Sequence, residues 1–164
     1  MKRILSCLCL VLFLAACGGQ EEPKFGKPTI AVVPKGTTHE FWKSIHAGAV
    51  KAQRELGVDI IWKGPLKEDD RESQIALVEN FISRGVTGIV LAPLDDTALR
   101  APVIAAFQNN IPVVIIDSGL KGAGYISFVA TDNHEGGRLA GEEMAQKLNN
   151  SGKVIMLRYQ EGSA

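Results

Sequence analysis

Six short, mainly apolar runs recur along this 164-residue chain: Ile30–Val33, Ile60–Trp62, Ile89–Ala92, Val113–Ile116, Ile126–Ala130 and Val154–Leu157. They are rich in β-branched residues and continuous rather than alternating. A strand with one wet face alternates apolar and polar side chains, so continuous runs predict strands covered on both faces, as in a parallel sheet with helices on each side. The segments between them repeat apolar residues every three or four positions: Phe41, Ile45, Ala49, Ala52 and Leu56; then Ile75, Val78 and Ile82; then Val103, Phe107 and Ile111; then Ala140, Met144 and Leu148. Each spacing predicts a crossover helix. Gly57 and Gly85 stand where the first two helices should end, Asp69 and Asp70 precede the second, and Pro102 falls where a first helical turn tolerates it. The order β-α-β-α-β-α-β-β-α-β predicts a right-handed, doubly wound α/β sheet with helices on both faces.

The cysteines divide the chain differently. Cys7, Cys9 and Cys17 all lie in the first 17 residues, so the remainder has no disulfide framework, thiolate metal site or cysteine nucleophile. Lys2 and Arg3 precede an apolar run from Ile4 to Leu14, and Ala15-Ala16 supplies small residues before Cys17. That pattern predicts a signal peptide over residues 1–16; the run is shorter than the roughly 20 residues that span a bilayer. Leu14-Ala15-Ala16-Cys17 resembles the bacterial lipobox, which makes Cys17 a lipid attachment point. Residues 17–28 are polar and aperiodic, a tether, and the folded lobe is expected from Thr29 to Ala130.

Ligands of open parallel sheets bind beyond the carboxyl ends of the strands, so function is expected in the loops Pro34–Glu40, Gly64–Asp70, Pro93–Thr97, Asp117–Gly124 and Thr131–Asn133. The 18 basic residues are matched by 18 acidic ones, which argues against a nucleic-acid binder driven by phosphate neutralisation. No phosphate loop is present, and the glycines of Gly119–Gly124 have the wrong spacing for a dinucleotide site. His39-Glu40 and His134-Glu135 each lack the second histidine of a zinc-protease motif, and no serine sits in a Gly-x-Ser-x-Gly elbow. Neither a catalytic set nor a metal or cofactor site is therefore expected. The loops offer other chemistry. Phe41 and Trp42 are adjacent in the first turn of a helix, where one should face the core and the other a crevice; aromatic faces pack on the C–H faces of sugar rings. Asp117 ends the fourth strand, where it can accept from neighbouring hydroxyls or cap the following turn. Asp95 and Asp96 are expected to form a turn with Thr97, and Asp132 to cap the fourth helix.

Taken together, Ile30 to Trp42, Ile89 to Asp95, Ile111-Pro112 through Asp117, and Ala130-Thr131-Asp132-Asn133 followed by Gly136-Gly137 resemble the ribose-type periplasmic sugar-binding proteins, the substrate-binding components of ATP-driven importers. The resemblance runs from about Pro28 to the end. It implies a sheet of flavodoxin-like strand order and two lobes that close on a monosaccharide by a hinge motion. It places ligand contacts at His39, Phe41 and Trp42 after the first strand and at Asp117 and Ser118 after the fourth. His39 stands where an asparagine is often found, and Ser118 where an arginine often follows the aspartate.

The same resemblance makes residues 131–164 the hinge crossing plus the first helix and strand of an incomplete second lobe, so the chain reads as a fragment or a truncated product. Alone, it is expected to have little sugar affinity, because one lobe covers one face of a ligand. The implied function is that of a lipid-anchored, exported substrate-binding component of a sugar ABC importer, with membrane permease subunits as partners and no nucleic acid. The alternative is a sugar or signal-molecule sensor lobe that feeds a membrane receptor without transport.

Overall fold

The computed structural model describes residues 26–157. The expected signal peptide, Cys17 and most of the expected tether lie outside the described residues, as does the segment after Leu157. Five parallel strands, β1 (Thr29–Val33), β2 (Asp59–Trp62), β3 (Gly88–Leu91), β4 (Val113–Ile116) and β5 (Ser127–Val129), form one sheet in the order β2-β1-β3-β4-β5. Four helices, α1 (Glu40–Leu56), α2 (Arg71–Ser83), α3 (Arg100–Gln108) and α4 (Asn133–Lys147), follow β1, β2, β3 and β5. This is the expected doubly wound α/β fold with flavodoxin-like order. The chain steps from β1 to β2 in one direction and then from β3 to β5 in the other, so right-handed crossovers place α1 on one face and α2 with α3 on the opposite one.

The continuous apolar runs are used as two faces. Ala31, Val33, Ile89, Leu91, Val113 and Ile115 alternate onto the α2–α3 side and join Val78, Phe81, Leu99 and Val103 in one buried cluster. Their neighbours Ile30, Val90, Val114 and Ile116 face α1 and are only partly covered. On α3 the spacing Leu99, Val103 and Ala106 turns to the sheet, one face of a helix at i, i+4 and i+7, and leaves Phe107 at its border, 61% exposed.

Caps fix the helix ends. Gly57 (φ 65°) and Gly85 (φ 64°) take the left-handed conformation expected of them. After α3 the same role falls to Asn110 (φ 58°), whose N–H donates to Phe107 O while Ile111 N–H donates to Ala106 O at 3.0 Å. This Schellman motif stops the helix before Ile111 and tucks that side chain into the core. Asp70 and Asp132 cap α2 and α4 by accepting from Ser73 N and Glu135 N.

One expected element is absent. Val154–Leu157 forms no strand, and its residues from Ile155 to Leu157 are about 90% exposed. A strand exists through pairing with a neighbour, and no described strand lies beside this segment. The helix before it, α4, buries no side chain.

Candidate ligand-binding site

The carboxyl ends of β4 and β5 and the first half of α1 border a cavity of about 630 Å³, walled by Phe41, Ser44 and Ile45 of α1, by Ile116 and Asp117, and by Val129, Ala130, Thr131 and Asn133. It lies where open parallel sheets bind ligands, and two of the expected residues, Phe41 and Asp117, line it. A hollow along the outer side of α1, around Lys43, His46, Lys51 and Arg54, is bounded by that single helix and meets no strand end.

The aromatic pair splits. Trp42 is 2% exposed and Phe41 46%. Trp42 Nε1 donates to Glu68 Oε1 at 2.7 Å, and the two rings meet edge to face with centroids 4.9 Å apart. Phe41 therefore presents its ring to the cavity while Trp42 backs it from the core. His39 does not line the cavity: it is the N-cap of α1, its Nδ1 accepting from Phe41 N at 3.3 Å, so it sets the direction of the turn that carries both rings.

Asp117 holds φ at 65°, a left-handed backbone uncommon for a residue with a Cβ and commonest in Asn and Asp. Its N–H donates to Val129 O at 3.1 Å, which ties the end of β4 to the end of β5. Lys35 Nζ lies 3.1 Å from its Oδ2, Ser118 Oγ donates to the same oxygen at 3.1 Å, and Lys35 Nζ donates to Ser118 Oγ at 2.5 Å. Ser118 thus reaches the site through Asp117 and is not part of the cavity wall.

Lys35 was not among the expected residues. It is 6% exposed, one of two buried polar side chains, with Gln74, among the described residues. The signal was present in its place directly after the first strand, between Pro34 and Gly36, though a lone lysine in a loop ordinarily reads as a solvated residue. Gln74 was equally silent. Its Nε2 donates to Pro34 O at 3.1 Å and Ala92 O at 2.8 Å, and its Oε1 accepts from Leu94 N at 2.8 Å. One amide from α2 therefore clamps the segments leaving β1 and β3. The segment leaving β2 is drawn in too: a Cβ on Gly64 would lie 2.8 Å from the Pro34 ring and 2.9 Å from its carbonyl oxygen, so this approach needs glycine. Asp95 behaves as the sequence implied. The N–H groups of Ala98 and Thr97, and Arg71 beside it, hold its carboxyl below the usual carboxylate range, and it organises the start of α3 rather than the cavity.

A doubly wound sheet whose strand ends, together with α1, wall an open cavity has the architecture of one lobe of a solute-binding protein. The chain belongs to the periplasmic binding protein domain family, whose profile matches residues 30–164. It is similar to the D-ribose/D-allose-binding protein of Pseudomonas aeruginosa, at 36% identity over 166 residues, covering 90% of this chain and 51% of that protein. Among solved structures, a periplasmic component of an ABC-type sugar transport system from Hahella chejuensis matches with a TM-score of 0.79 at 31% identity, over 84% of this chain and 51% of that one. An ABC transporter solute-binding protein from Agrobacterium vitis, solved with bound D-fucose, matches with a TM-score of 0.70 at 40% identity, over 73% and 43%. The chain spans about half the length of the curated relatives it matches.

Proposed function

We propose that the protein reversibly binds a monosaccharide against the Phe41–Asp117 wall, closes a second lobe over it, and delivers it to the membrane permease subunits of an ABC importer. The observation that carries this reading is the joint placement of an exposed aromatic ring and a fixed carboxylate on one cavity at the strand ends. A ring packs on the apolar face of a pyranose or furanose while a carboxylate accepts from two adjacent hydroxyls. The names of the relatives support it: they are binding proteins for sugars, and several are named for import, which favours transport over sensing. Nothing in this role requires bond chemistry, so the protein is read as a binder and not an enzyme. Calorimetric titration of the full-length gene product against a panel of pentoses and hexoses is expected to give saturable 1:1 binding to at least one of them. Silence across the panel would sink the reading.

Localisation follows from the same proposal. The family implies the periplasm, and the leader with Leu14-Ala15-Ala16-Cys17 adds a lipid anchor at Cys17. Several acyl chains together give stable membrane attachment where a single chain does not. Cys17→Ser is expected to abolish acyl labelling and leave an uncleaved precursor; processing and labelling equal to the wild type would remove the anchor from the account.

A further inference from the structure

The first turn of α1 carries Phe41 into the cavity wall, and a titratable ring holds that turn. His39 is the N-cap, and its Nδ1 accepts from Phe41 N at 3.3 Å. A ring nitrogen accepts only while it lacks a proton, so the neutral imidazole makes this bond and the imidazolium does not. Imidazole is the side chain that ordinarily changes charge between pH 5 and 8. The partial positive charge of a helix N-terminus also repels an imidazolium. A partner for the protonated ring stands next to it. A hydrogen bond from Lys43, together with the charge of that lysine, holds the Glu40 carboxyl below the usual carboxylate range, so Glu40 is ionised wherever an imidazole titrates. The charge of His39 acts on Glu40 in the same direction, the mark of attraction between the two side chains. The segment leaving β2 packs on the same loop, with Thr37 Oγ1 and Thr38 Oγ1 donating to Pro65 O and Leu66 O. Its charged residues are Lys63, Lys67, Glu68, Asp69 and Asp70; Glu68 accepts from Trp42 Nε1 and Asp70 caps α2. Asp117, which shares the cavity wall with Phe41, is paired with Lys35.

We infer that His39 is a pH-dependent positioning residue with two settings: neutral, it caps Phe41 N and holds the ring-bearing turn; protonated, it releases that N–H and turns to the Glu40 carboxylate. The cap is complete above the range in which imidazole titrates and is lost as pH falls through it. In the second setting the Phe41 N–H is left to water and the first turn loosens. Trp42 N and Lys43 N still donate to His39 O, so the helix beyond that turn keeps its place. The consequence for the cavity rests on the sugar-binding reading above: acidification slackens the aromatic wall and lowers ligand affinity. The cap itself does not depend on that reading. Asparagine, among the strongest N-cap residues and without a charge to gain, would hold the turn at either pH.

The test is an NMR titration, from about pH 8 to about pH 5, of the full-length gene product isotope-labelled at its phenylalanine nitrogens, with the Phe41 amide assigned by its absence in Phe41→Leu. In the wild type that amide is expected to shift along a single sigmoid whose midpoint lies in the imidazole range. His39→Asn is expected to give a flat trace. A flat wild type, or an equal sigmoid in His39→Asn, overturns the inference. Glu40→Gln takes away the partner of the second setting and should move the midpoint to lower pH, because the imidazolium loses a stabilising charge. An unchanged midpoint overturns the two-setting account. Calorimetric titration with the monosaccharide that the wild type binds best reads the effect on the cavity. Wild-type affinity is expected to be about threefold or more lower at about pH 5.5 than at about pH 7.5, and that of His39→Asn to agree within about twofold between the two. Equal wild-type affinity at both, with the amide titrating, overturns the link from the cap to the cavity. A wild type that binds no sugar overturns the binding reading, and the amide titration still decides the cap.

Discussion

Gln74→Met is expected to destabilise the fold by about 3–5 kcal/mol, although it preserves side-chain length and apolar packing. Gln74 is fully buried, and its amide satisfies Pro34 O, Ala92 O and Leu94 N. Methionine fills the same space and can pair with none of them. A buried backbone group left unpaired costs about 1–3 kcal/mol, and three on one residue relax partly together, which gives a total below the simple sum. Urea unfolding of wild type and variant measures the difference, and a loss under about 1 kcal/mol would show that water replaces the amide. The effect is not local to stability. The carbonyls in question leave β1 and β3, and Lys35 directly follows Pro34, so the variant should also loosen the segment that carries the ion pair to Asp117.

The second large effect separates two neighbours in the chain. Trp42→Ala is expected to lose about 3–5 kcal/mol of stability, as for other buried aromatic truncations. Its indole is 2% exposed and is bonded to Glu68. Phe41→Ala should cost about 1 kcal/mol, the scale of one edge-to-face ring pair, because nearly half of its surface already meets solvent. On ligand affinity the order reverses: Phe41→Ala in the full-length gene product should weaken sugar binding about tenfold or more while the protein remains folded. Thermal unfolding and calorimetric titration on both variants check the crossing. Equal losses in both measurements would mean that the two rings act as one packing unit and that Phe41 has no separate ligand face.

What the sequence could reveal, and what it could not, follows from the range of each interaction. β4 was legible to the residue because Pro112 and Asp117 bracket four apolar residues, and Gly57 and Gly85 marked helix ends by local backbone preference alone. The end of α3 was less visible, since Asn110 does there what glycine does elsewhere, and Ile111 continued the apolar spacing past a stop. Val154–Leu157 had the composition of a strand, yet a strand is a pairing, and composition does not supply a partner. At the site, Phe41 and Asp117 stood out because they sit at strand ends. Which of Phe41 and Trp42 would be buried depended on the rotation of α1 against the sheet, a tertiary fact. Lys35, Glu68 and Gln74 were opaque for the same reason: their partners lie 83, 26 and up to 40 positions away along the chain.

The sheet has a kinetic consequence. Every strand pairing in it is parallel, so none can be made by folding a hairpin. Strand β1 joins β3 only after α1, β2 and α2 are spanned, as the bond from Thr29 N to Thr87 Oγ1 across 58 positions illustrates. Contacts of that separation demand loop closure before they return any free energy, which places completion of the sheet late on the folding pathway. A nascent chain of this topology stays open for a longer interval than a helical bundle of equal length, and an open chain is the form in which a polypeptide can be threaded through a membrane.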